Sequence, residues 1–432
     1  MSKPPFQSTN ADTKPSAATS SSRLLRLWTV ILAGEAIFLL PFVLPRLMRS
    51  AMLEQWDISN TELGTAFSVY GFVAIAAYAF GGPLADRFRP RKLMAAALLI
   101  TAAAGWFMTR SPSAFSLALL YGFFGLSTIL LFWSAMLRTT HDLAGDQSHG
   151  AAFGLLDAGR GLVAALIASG LVLVLGEEGT VTQAAWIAVG FVALTAAVIY
   201  FGLPDEESGA PSESFQVRDL VERAGDIRLW RQGFIVVCAY CGFKAIDIYG
   251  LFLVDTFGAT DGEAAKATAL TFWVRPVAAI AAGFAADRVG RFPTLTVSFV
   301  AMAATYGMIA ACPLLFDSGG SIPILVIATL LSTAAFAYAL RGVYFAVAGD
   351  LAVPDHQVGA AMGLISVVGF LPDVFFGPLS GIALDNVPGA LGHQIVFAGT
   401  AVLALVGAIL SIINGRAVKR LESVVESDPQ EG

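Results

Sequence analysis

What this chain has little of is charge. Only 13% of its 432 residues are Asp, Glu, Lys or Arg, against about 25% in an average soluble domain. The net charge of -6 is small and spread along the chain, with no basic arm, so nucleic acid is excluded as a partner. Cysteine is nearly missing: there are three, too few for a disulfide framework. Cys238 and Cys241 have CxxC spacing but lie inside an apolar segment, where they read as small residues on a helix. The four histidines, at 141, 149, 356 and 393, lack metal-site spacing. There is no clustered nucleophile or metal set for an embedded enzyme, and no cofactor is expected. No Gly-x-x-x-x-Gly-Lys-Ser/Thr loop supports drive by ATP. Residues 1–23 have no apolar core, which argues against a secretory signal peptide and for a disordered tail.

What is there is hydrocarbon. The chain is 56% hydrophobic with a mean hydropathy of +0.72. Six apolar spans can be drawn at 24–46, 61–85, 93–110, 114–138, 150–175 and 182–203. Six more follow at 229–256, 263–286, 294–316, 322–349, 358–384 and 393–415. At 1.5 Å per residue they can cross roughly 30 Å of hydrocarbon. In lipid the backbone must satisfy itself within each segment, so the spans are helices. The expected class is an all-α polytopic membrane protein with twelve transmembrane helices. Residues 204–228 mix seven acids with three arginines and read as a soluble linker between a half at 24–203 and a half at 229–416. Residues 417–432 form a polar tail.

Basic residues orient the spans. With both termini in the cytoplasm, 18 Lys and Arg fall inside, four outside (Arg46, Arg49, Arg110 and Lys266) and four within spans. That asymmetry supports this topology and an even number of crossings.

Two stretches echo each other. Residues 81–92, from Gly81 to Lys92, hold five charges in twelve positions, with Gly82, Leu84, Ala85, Asp86, Arg87, Arg91 and Lys92. A shorter copy has Gly283, Ala286, Asp287, Arg288, Gly290 and Arg291, offset by 201. A second echo pairs Gly150-Ala151-Ala152-Phe153-Gly154-Leu155 with Gly359-Ala360-Ala361-Met362-Gly363-Leu364, offset by 209. Its Gly-x-x-x-Gly pairs are expected to let each fifth helix pack closely on a neighbour. Two echoes in one order indicate two six-helix halves.

On these residues the chain resembles the major facilitator superfamily over roughly 24–416. Arg89 stands where the family motif has glycine, and Phe292 replaces the last basic residue of the second copy. The resemblance implies a gate at the cytoplasmic loops, carried by Gly82, Asp86, Arg87, Arg91, Asp287 and Arg288. It also implies alternating access, a small-molecule substrate and a lipid-embedded monomer in a bacterial inner membrane. The stretches 153–161 and 341–345 look like a bacterial branch whose substrates are largely unassigned.

Eight charges lie deep in the spans: Glu35, Asp157, Arg160, Lys244, Asp247, Arg275, Arg341 and Asp373. None is on helix 3, 6, 9 or 12, the four that the superfamily plan makes peripheral. Charges in hydrocarbon are costly and mark functional paths. Asp157 with Arg160, and Lys244 with Asp247, are three apart and can pair on one helix. Arg275 and Arg341 lack such a partner, and a guanidinium fork suits a carboxylate or phosphate. Arg275, Arg341, Lys244 and Arg160 are therefore the candidate substrate contacts. Glu35, Asp373, Asp247 and Asp157 are the candidate proton carriers, because burial raises a carboxyl pKa. The acids can equally pair across the halves with the arginines. Trp133, Tyr249, Trp273 and Tyr344 are candidate cavity aromatics. The first expectation is a proton-coupled carrier of a small organic anion; the alternative is a proton-driven multidrug or cation exporter.

Overall fold

The computed structural model describes residues 17–144, 149–205, 225–316, 322–351, 358–387 and 389–427. The tail at 1–16, most of the linker, and the side chains of Gly82, Asp86, Gly150 and Gly359 lie outside the described residues.

Among the described residues, ten helices are long and apolar enough to cross a membrane, and a bent pair makes an eleventh. The 28-residue helix Asn60–Arg87 completes twelve. The first half holds α1 (Ala17–Ala36, continuing as Leu39–Leu47), α2 (Asn60–Arg87), α3 (Pro90–Arg110), α4 (Ala114–Leu143), α5 (His149–Leu175) and α6 (Val181–Gly202). The second holds α7 (Ile227–Phe257), α8 (Asp261–Val289), α9 (Arg291–Leu315), α10 (Ile324–Val343), α11 (Val358–Gly369 and Pro372–Asn386) and α12 (Ala390–Ser427). After twelve crossings both ends of the chain emerge on one face, here the terminal face; the other is the distal face.

Local chemistry starts three helices on the distal face. Ser59 and Glu62, Thr180 and Gln183, and Thr260 and Glu263 form capping boxes at α2, α6 and α8. Each satisfies backbone donors that the first turn leaves open.

The cavity helices are interrupted where they reach the middle of the bundle. α1 bends by 42° and passes through a π turn, Leu39–Val43, containing Pro41. Proline supplies no N–H there, so the regular ladder fails. α4 carries a π segment at Leu126–Trp133. α7 tightens to a 3₁₀ turn at Ile246–Ile248, and α11 breaks between Gly369 and Pro372. The span expected at 322–349 ends as an α-helix at Val343.

Each half has its own apolar core. Ala269 and Phe272 of α8 join the core of the first half. The halves meet mainly through two helix pairs, α2 with α11 and α5 with α8. On the distal side of α2 and α11 the backbones nearly touch: a Cβ at Gly64 would run into the carbonyl group of Gly377. A Cβ at Gly381 would sit 2.6 Å from the Thr61 nitrogen. Lys266 pairs with Glu177 between α8 and the end of α5, and Trp273 Nε1 donates to Ser169 at 2.9 Å.

A Cβ at Gly154 or Gly283 would meet nothing within 4 Å. Gly154 therefore does not seat a neighbour, contrary to its Gly-x-x-x-Gly spacing. The backbone contacts of α2 with α11, with the Lys266–Glu177 and Trp273–Ser169 pairs, hold the halves together on the distal side.

Candidate functional site: a charged central cavity

The interrupted helices line a cavity of about 160 Å³ between the halves. Its walls come from α1, α2, α4 and α5 on one side and α7, α8, α10 and α11 on the other. None of the lining residues belongs to α3, α6, α9 or α12. This matches the distribution of deep charges along the sequence.

Two chains of alternating charge cross the site. The first joins the halves. Arg275 of α8 lies 3.2 Å from Asp157 of α5 and 3.5 Å from Glu35 of α1. Glu35 lies 3.3 Å from Arg160, whose Nε donates to the Gly34 carbonyl at 3.0 Å. Arg160 also sits over the rings of Phe38 and Trp133, each at 5.4 Å. Asp157 and Arg160 do not pair with each other as their spacing allows, because Arg275 and Glu35 take them. Among the described residues, Glu35 Oε2 has no hydrogen-bond partner. Its contact with Arg160 is one of charge without a directed bond.

The second chain runs mostly through the second half. Arg46 Nε donates to Asp247 at 2.5 Å, and Asp247 lies 3.4 Å from Lys244. Lys244 lies 3.4 Å from Asp373, which accepts from the Tyr240 hydroxyl at 3.1 Å. Here the three-residue spacing of Lys244 and Asp247 does produce a pair. Lys244 also lies over Phe42 at 5.1 Å and Phe67 at 4.8 Å. All four residues of this chain are buried or nearly so. A buried charge without a counter-charge is expensive, and the alternation supplies one at each step.

Arg341 stands apart. It lines the cavity from α10, and its guanidinium lies 4.0 Å from the centre of the Phe243 ring and 5.7 Å from that of Tyr240. No carboxylate among the described residues approaches it to within 4.0 Å. Five cations thus face four carboxylates.

Arg46 is the residue that the sequence reading misses. Expected in an outer loop, it is 6% exposed, and Arg49 is 4% exposed and bonds Asn60. The available signal was the run of apolar residues that resumes at Leu47, Met48, Ala51 and Met52. Of the four candidate aromatics only Trp133 lines the cavity. Trp273 points to Ser169, Tyr249 bonds Tyr306 at 3.3 Å, and Tyr344 is buried.

The basic loop after α2 docks within its own half. Arg89 lies 2.6 Å and Arg91 3.1 Å from Asp205, just past α6. Arg91 also stacks on Tyr200 at 4.9 Å. Arg138 of α4 donates to the Ala85 carbonyl at 3.1 Å. Arg87, Asp287 and Arg288 are exposed at the terminal face.

A sequence model described as Major Facilitator Superfamily matches residues 27–246. The chain belongs to the major facilitator superfamily. Residues 206–414 also match a model described as Sugar (and other) transporter. Like its family, the chain is a membrane transporter and not an enzyme. Two curated relatives from Escherichia coli K12 align over nearly their whole length. Inner membrane protein YihN is 25% identical over 90% of this chain and 94% of its own. Inner membrane protein YqcE is 24% identical over 90% and 93%. Among solved structures, a point mutant of the nucleoside transporter NupG superposes with a TM-score of 0.75 at 13% identity, over 91% of this chain and 99% of its own. A bacterial homologue of the human lysosomal transporter Spinster, inward-facing and unoccupied, gives 0.71 at 13% identity, over 94% and 99%. These likenesses concern the superfamily fold.

Proposed function

We propose that this superfamily member is a secondary transporter that carries a small organic anion together with a proton by alternating access. The observation that carries the reading is Arg341, a cavity cation with no carboxylate within 4.0 Å among the described residues, while each of the four acids has a cationic neighbour. A guanidinium binds a carboxylate strongly and can do so through two bonds. Arg341 is the primary anion contact in this reading. Arg275, Lys244 and Arg160 are exchangeable contacts that release their carboxylates when substrate or proton arrives. Glu35 is the first proton acceptor, since its Oε2 has an open position. Asp373, Asp247 and Asp157 are the other candidate carriers.

The distribution of Lys and Arg puts both termini in the cytoplasm of a bacterial inner membrane. The distal face is then the outer one. The loops after α2 and α8 hold the cytoplasmic side closed in one state, with Gly82, Asp86, Arg87, Arg91, Asp287 and Arg288 as the gate. The transporter works as a monomer. A cation exporter is the second reading, favoured by the four cavity-region acids and opposed by their pairing. Uptake by proteoliposomes over a panel of organic anions and cations, with an imposed pH gradient, tests the choice. Anion uptake driven by the gradient is expected; cation transport without anion transport overturns it.

A further inference from the structure

This inference rests on the anion reading above and narrows it to a class. We propose that the substrate is a monoanion with a flat, apolar, single-ring body, such as an aromatic carboxylate, its charge on Arg341. Three independent features lead there.

The first is charge. The two chains use four carboxylates and four cations, Arg46, Arg160, Lys244 and Arg275, and leave Arg341 over. With Glu35 ionised, one added negative charge balances the site. A dianion would find a second cation only by breaking one of the chains.

The second is the chemistry of the wall. Nine of the 21 lining residues are aromatic, and none is Ser, Thr, Asn, Gln or His. The neutral side-chain hydrogen-bonding groups are the hydroxyls of Tyr70, Tyr78 and Tyr240 and the Trp133 indole N–H. The Tyr70 hydroxyl bonds Thr128 at 2.9 Å, and that of Tyr240 bonds Asp373 at 3.1 Å. A polyhydroxylated body would lose its water here and find few partners, and each unpaired hydroxyl lowers affinity. An apolar ring loses nothing by leaving water and gains offset contacts with the aromatic walls. The stacked rings of Tyr78 and Phe370, with centres 6.4 Å apart, bridge α2 and α11 beside Asp373 and provide such a wall.

The third is size. The cavity is about 160 Å³, close to the roughly 150 Å³ that takes up one benzene ring.

The test is calorimetric titration of the purified full-length protein in detergent with four probes: benzoate, phthalate, gluconate and benzylammonium. Benzoate is expected to bind at least tenfold more tightly than gluconate, which has the charge without the ring, and than phthalate, which has the ring with two charges. Gluconate or phthalate binding as well as benzoate overturns this inference and leaves the anion reading standing. Binding of benzylammonium with no anion binding overturns both. Failure of all four probes to bind overturns the ring assignment. Arg341→Gln is expected to weaken benzoate at least tenfold, and Arg341→Lys less. Unchanged benzoate affinity in a folded Arg341→Gln protein removes Arg341 from the site.

Discussion

The Asp385 carboxylate at the end of α11 closes the distal face by binding Thr61 at the start of α2. One oxygen accepts from the Thr61 N–H at 2.7 Å and from its hydroxyl at 2.6 Å, and the other from the Asn60 N–H at 3.0 Å. An acid of one half thus caps a helix of the other, where the helix dipole favours negative charge. Asp385→Ala is expected to weaken this closure by about 1 kcal/mol, the usual effect of a lost cap. Spin labels at Glu178 and Asn386 would report it as a larger share of long distances. An unchanged distance distribution would show that the cap does not hold the face.

Glycine allows that closure in the first place. The backbones of α2 and α11 touch at Gly64 and Gly377, so an added methyl group meets main chain that cannot swing aside. Gly64→Ala is expected to keep the halves apart on the distal side and to cut transport at least tenfold. The single halves should stay folded, because the clash lies between them. Normal uptake by this variant would place the contact outside the working cycle.

The Arg46–Asp247 pair makes a prediction about stability. Removing one partner of a buried pair leaves the other uncompensated, at a cost of about 3–5 kcal/mol, whereas replacing both by apolar groups is often tolerated. Asp247→Asn should therefore unfold at a clearly lower temperature than the parent, and Arg46→Met with Asp247→Leu should recover much of the loss. A double variant no better than the single one would mean that the pair does more than neutralise itself.

Much of this architecture was legible in the residues. Apolar runs set the helices, the echo at Gly82 and Gly283 set the halves, and the absence of deep charges from helices 3, 6, 9 and 12 separated wall from periphery. The cavity positions of Arg275 and Arg341 follow from a charge inside an apolar span that has no partner on its own helix. Their partners do not. Whether Asp157 takes Arg160 or Arg275 depends on how two distant helices cross, and spacing within one helix carries no information about that. Arg46, the last residue of its expected span, counts as an outer residue in the sequence, yet α1 runs to Leu47, a further helix follows at Arg49–Trp56, and Arg46 is buried. The Asp385 cap was hidden for the same reason: its partner is 324 residues away.

Glu35 offers a test of coupling. If its open oxygen takes the transported proton, Glu35→Gln mimics the loaded state permanently. Anion exchange down a concentration gradient should persist, while accumulation driven by a pH gradient should fall to background. Both are read in the same proteoliposomes by imposing or omitting the gradient. Full gradient-driven accumulation in the variant would move the coupling step to another acid.

The central claim is that one unpaired guanidinium in a cavity of paired charges selects an anion. Benzoate uptake into proteoliposomes holding the parent, Arg341→Lys or Arg341→Gln tests it most directly. A tenfold or greater loss in Arg341→Gln, with partial activity in Arg341→Lys, is the predicted result. Equal uptake by all three proteins, verified as folded by their melting curves, would contradict the account.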